Sequence, residues 1–86
     1  MSETAEARLK RLKIRSWRRG IKEMDLILTA FADQHLEDMD ESGVALYDAL
    51  LGENDQDLYQ WVTGQVDAPA RYEELIKRIS VALQRN

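Results

Sequence analysis

MDLILTAFADQHLEDM, residues 24–39, places Met24, Ile27, Leu28, Phe31, His35 and Met39 at i, i+3, i+4 and i+7 intervals, the spacing that gathers side chains on one side of an α-helix. Ala30 and Ala32 in the same stretch let a neighbouring element approach closely. The period-two alternation of strands is sustained nowhere in the chain, whereas helical spacing returns in every segment between breakers. The expected fold class is therefore all-α, a compact five-helix antiparallel bundle forming a single helical domain over residues 1–86, with residues 1–6 disordered.

Working outward towards the N-terminus, residues 5–17 read as a first helix with a narrow seam of Leu9, Leu12 and Ser16, flanked by Lys10, Arg11, Lys13 and Arg15. Gly20 ends or interrupts it. In the other direction Asp40 is placed to cap a third helix carrying Val44, Tyr47 and Leu51, joined by Leu46 and Leu50, before Gly52 stops it. Asn54, Asp55 and Asp57 then crowd the start of a short fourth helix with Leu58, Trp61 and Val62, ended by Gly64; acids there satisfy free amides and the helix dipole. Pro69 suits the first turn of a fifth helix whose stripe is Tyr72, Leu75, Ile76, Ile79 and Leu83. Connections this short favour antiparallel neighbours.

The chain has 86 residues, room for one small core. It has no cysteine, so neither a disulfide framework nor a thiolate zinc site contributes, and stability rests on packing. Residues 1–6 carry acids and no apolar run, which points away from a targeting leader and towards the cytoplasm, of a bacterium in the simplest reading; no membrane insertion is expected. The net charge of -4 conceals an asymmetry: residues 1–23 hold eight Lys/Arg against three Asp/Glu, and residues 24–86 hold four against thirteen.

Chemistry-bearing patterns are sparse. His35, the single histidine, sits on a periodic helical face with no second ligand near it and reads as structural. Asp55-Gln56-Asp57 opens like a calcium loop but lacks the glycine at the sixth position and the acid at the twelfth, so helix capping is the better reading. Phosphate cradles, nucleophile elbows and metalloprotease motifs are missing, and a non-enzyme is expected. A basic first helix suits phosphates, yet thirteen acids in the remainder repel a polyanion, so nucleic acid is not an expected partner. What stands out is Arg18-Arg19-Gly20-Ile21-Lys22-Glu23-Met24-Asp25 at the junction of the first two helices. Arg19 and Glu23 share a face if helical geometry spans Gly20, and the residues alone divide evenly between a helix boundary and a binding surface.

At this junction the chain resembles the succinate dehydrogenase assembly factor 2 family, small bacterial and mitochondrial flavinylation factors. The family's Arg-Gly-x-x-Glu signature stands here as Arg19-Gly20-Ile21-Lys22-Glu23, followed by Met24-Asp25. Phe31, the Asp55-x-Asp57-Leu58-x-x-Trp61 pattern, Gly64 and Pro69 fall at fitting distances, and the likeness covers about residues 8–80. Gln56 departs from the proline often found between the two acids. The resemblance implies a bundle that binds the flavoprotein subunit of succinate dehydrogenase, with that of fumarate reductase as a further client, while FAD becomes covalently attached there. FAD is then carried by the partner, and this chain, a monomer, binds no cofactor stably. Arg18, Arg19, Gly20, Ile21, Glu23 and Asp25 are the implied partner-binding residues: Arg19 as a donor, Glu23 as an acceptor or as the group orienting Arg19, Gly20 as the point of close approach. Asp25 also suits a bond within the bundle. An antitoxin-like or regulatory adaptor with a different client is the competing reading.

Overall fold

Five α-helices in a computed structural model describing residues 3–17 and 19–84 account for the periodicities: α1 Ala5–Trp17, α2 Lys22–His35, α3 Glu41–Leu50, α4 Asp55–Val62 and α5 Glu73–Gln84. No strand occurs among the described residues. Three of the starts have a local cause. Thr4 Oγ1 accepts the Ala7 amide at 3.0 Å ahead of α1, Asp40 accepts from the Gly43 amide at 2.8 Å to open α3, and Asn54 accepts from the Gln56 amide at 2.8 Å to open α4. One stop is equally local: Gly64, at φ 82°, takes the left-handed conformation that ends α4.

α2 is the central element, packing against α1, α4 and α5. Its Met24, Leu28 and Phe31 are fully buried with Leu12 of α1, Tyr47 and Leu50 of α3, Leu58 of α4 and Ile79 of α5. One buried polar chain ties three helices together. Ser16 Oγ lies 2.8 Å from the Leu12 carbonyl and 2.7 Å from Tyr47 Oη, which in turn lies 3.4 Å from the Leu28 carbonyl.

Three details depart from the periodic reading. α2 stops at His35, whose φ of -125° leaves the helix, and a 3₁₀ turn at Leu36–Asp38 buries Leu36 while Met39 takes extended geometry. Pro69 precedes a second 3₁₀ turn, Ala70–Tyr72, rather than the first turn of α5 itself. The α5 stripe continues from Ile79 to buried Ala82, three residues on, and leaves Leu83 38% exposed.

The two-signed charge of the sequence is reconciled inside the molecule. Arg8 of α1 pairs with Glu41 at 2.6 Å, Lys13 with Glu37 at 3.4 Å, and Arg11 and Arg15 converge on Asp48 of α3 at 2.9 and 2.8 Å. The hydrogen bond from Arg11 holds the Asp48 carboxyl below its ordinary pKa of 3.8. Thus four cations of α1 face acids of the same chain.

Candidate functional site

Residues 19–21 join α1 to α2, and Ile21, at φ -113° and ψ 122°, is extended. Helical geometry therefore does not span Gly20, and Arg19 and Glu23 do not form the i, i+4 pair that their spacing allows. Arg19 turns inward instead. Its Nε and Nη2 reach Asp55 Oδ1 at 2.7 and 2.6 Å, its Nη1 donates to the Leu51 carbonyl at 2.9 Å, and its Nη2 donates to the Glu53 carbonyl at 3.3 Å. The Arg19 and Asp55 side chains are only 10% and 18% exposed. A planar fork of fixed donors suits this task, because it serves a carboxylate and two carbonyls at once.

Gly20 completes the clamp. Its amide donates to Asp55 Oδ2 at 2.7 Å, and a Cβ on Gly20 would stand 3.3 Å from that same oxygen. The close approach that its lack of a side chain permits is thus made by a carboxylate of this chain. Asp25, from the first turn of α2, accepts the Arg19 backbone amide through Oδ1. The junction of α1 and α2 is therefore bolted to the first turn of α4 by Asp55, to the α3–α4 loop by the Leu51 and Glu53 carbonyls, and to α2 by Asp25.

Of the six residues singled out by sequence, the structure brings five into one neighbourhood with unequal exposure; Arg18 lies outside the described residues. Arg19 and Asp25 have their charged groups engaged within the chain, so Glu23 does not orient Arg19. Gly20 and Glu23 are exposed and Ile21 is half-buried. Glu23 makes no ion pair or side-chain hydrogen bond among the described residues, and with Ile21, Gln56, Tyr59, Gln60 and Gln65 it lines a shallow polar cleft between α2 and α4. Asp55 is the neighbour of this junction that sequence reasoning read as a capping acid and as part of the family pattern, not as a partner of Arg19. The signal for it was the Asp55-x-Asp57 pattern accompanying the Arg-Gly-x-x-Glu signature. Among the described residues no group of three or more His, Cys, Asp or Glu is placed to hold a metal ion.

A family described as flavinator of succinate dehydrogenase matches residues 10–82, a span that includes the clamp and the cleft. The chain belongs to this flavinator family. It is 41% identical over 83 residues to the mitochondrial succinate dehydrogenase assembly factor 2 of Drosophila grimshawi, covering 90% of this chain and 56% of that protein. The proteins of the same name from Schizosaccharomyces pombe and Meyerozyma guilliermondii are 39% and 45% identical, over 91% and 76% of this chain and 58% and 48% of theirs. The chain thus spans about half the length of the curated relatives it matches. These relatives overturn the cytoplasmic expectation, because they are named as mitochondrial proteins. That expectation came from six residues at the start of a chain half as long as its relatives, which says nothing about a leader. No helix among the described residues is long and apolar enough to cross a membrane.

Proposed function

We propose that this flavinator-family chain is an assembly factor that binds the flavoprotein subunit of succinate dehydrogenase and promotes covalent attachment of FAD to it, with the fumarate reductase flavoprotein as a second client. FAD is carried by the partner, and the chemistry proceeds on the partner's own groups. The chain acts as a monomeric chaperone rather than as an enzyme, holding the large subunit in an arrangement competent for attachment.

The observation that carries this reading is the exposed Glu23 carboxylate, unpaired among the described residues, beside a junction whose Arg19 and Asp25 are engaged internally. A rigid backbone presenting one free carboxylate loses little entropy when a partner cation or amide engages it. Glu23, Ile21 and Gly20 form the contact, with Arg18 beside them on sequence grounds. Arg19, Asp25 and Asp55 position it.

The test incubates the apo flavoprotein subunit with FAD and a dicarboxylate, then reads covalent flavin fluorescence after denaturation. The native chain should raise the signal, and Glu23→Ala should lose it while keeping its helical circular dichroism. No rise with a cognate subunit would assign the chain to an adaptor role with another client.

A further inference from the structure

Leu26 is 65% exposed, the highest value for any large apolar side chain among the described residues, on the helix that also carries Glu23. It is not an isolated apolar group. Leu26 and Ala30 together line two adjoining grooves, one completed by Lys13 and Trp17 and the other by Ala82 and Leu83, so they form a ridge between them. Trp17 is 48% exposed at one edge. The helix repeat places Glu23, Leu26, Ala30 and Asp33 in one row along α2, at steps of three, four and three residues. Both ends of the row are exposed carboxylates without an ion pair or side-chain hydrogen bond among the described residues.

We infer that this row is the apolar half of the client interface, and that it fits a flavoprotein surface presenting apolar side chains between two cations about 15 Å apart, the axial span of ten helical residues. The inference rests on the proposed function and extends its contact surface from the junction along α2. Charge selects this occupant over a second copy of the chain. Pairing two copies of the row along its length sets acid against acid: a parallel arrangement opposes Glu23 to Glu23 and Asp33 to Asp33, and an antiparallel one that seats each Leu26 on the other copy's Ala30 opposes Glu23 to Asp33 twice. A client bearing Arg or Lys at those two places satisfies both carboxylates around a desolvated Leu26, the arrangement of an apolar anchor within a polar rim.

The test measures affinity for the apo flavoprotein subunit of the same organism by calorimetry, using the full chain and Leu26→Ala, Leu26→Glu, Asp33→Asn and Glu23→Ala. Leu26→Ala should weaken binding about tenfold and Leu26→Glu by about a hundredfold or more, the range of interface anchors. Asp33→Asn should weaken it by about threefold to tenfold and flatten its salt dependence. Circular dichroism and melting should stay native, since the substituted groups are exposed. Binding lost in Glu23→Ala but native in Leu26→Glu and Asp33→Asn would overturn the row and leave the proposed function standing. A native chain that binds no flavoprotein subunit would remove both. Sedimentation showing a dimer that Leu26→Glu dissociates would also overturn the assignment, in favour of self-pairing.

Discussion

The Asp55 carboxylate meets two donors from a single dipeptide, the Arg19 guanidinium and the Gly20 amide, 36 and 35 positions away in sequence. Removing it leaves a guanidinium that is nine-tenths buried with only carbonyls to bond. Asp55→Ala should therefore lower the unfolding free energy by about 3 kcal/mol, read from urea denaturation, and Asp55→Asn should lose less because its amide oxygen still accepts from Gly20. Gly20→Ala meets Asp55 at 3.3 Å without backbone strain and should cost under about 1 kcal/mol. Gly20→Arg crowds the same oxygen and covers the approach to Glu23, so affinity for the flavoprotein should vanish in a pull-down while helical dichroism persists. The motif residues were legible in the sequence, but their partner was not. Spacing rules pair Arg19 with Glu23 because they presume a continuous helix, and one extended residue, Ile21, cancels that presumption. Asp55 had a sufficient local reason to stand in the first turn of a helix, and its recurrence beside the Arg-Gly-x-x-Glu signature, not its local chemistry, was the signal of a bond across the chain.

Helix by helix, composition and period carried the reading furthest. The limits of α1 and the caps at Asp40 and Asn54 follow from local chemistry, and local chemistry is what a sequence displays. The end of α2 follows instead from burial of Leu36 in the turn leading to α3, a tertiary gain that extends no periodic pattern. The Ser16–Tyr47 bond is likewise a meeting of elements. Ser16→Ala should cost about 1–2 kcal/mol in thermal or urea unfolding, since it leaves Tyr47 Oη with only the Leu28 carbonyl at 3.4 Å. Burial pushes the Tyr47 hydroxyl up to about 12 from its ordinary 10. A phenol free to ionise only when unfolded draws the chain open, so the Tyr47 contribution is intact below pH 10 and is lost as pH rises towards 12, by about 2–3 kcal/mol in full. Urea midpoints taken between pH 9 and 11.5 should fall more steeply for the native chain than for Tyr47→Phe.

Across the whole molecule, charge is folded inward. The basic N-terminal quarter and the acidic remainder are opposite sides of one set of contacts between α1, α3 and the turn at Leu36–Asp38. Asp48 serves two arginines, and its depressed pKa means that its stabilising contribution is present above pH 3.8 and is lost as pH falls through the lower folded value. Asp48→Asn should cost about 1 kcal/mol near neutrality, modest because the pairs are partly exposed, and should make acid unfolding less steep in a pH titration of circular dichroism. Composition revealed the two signs but not their mutual cancellation, which depends on α1 lying beside α3. The clamp has a further consequence, in time rather than in energy. The Gly20 amide sits on an exposed residue, where a proton ordinarily trades with water quickly, yet it is held by a carboxylate in the first turn of α4 that must swing away before exchange can occur. One slow proton at the surface thus becomes a clock for the parting of the α1–α2 junction from the start of α4, readable by deuterium uptake, and a client seated on Glu23 should slow it.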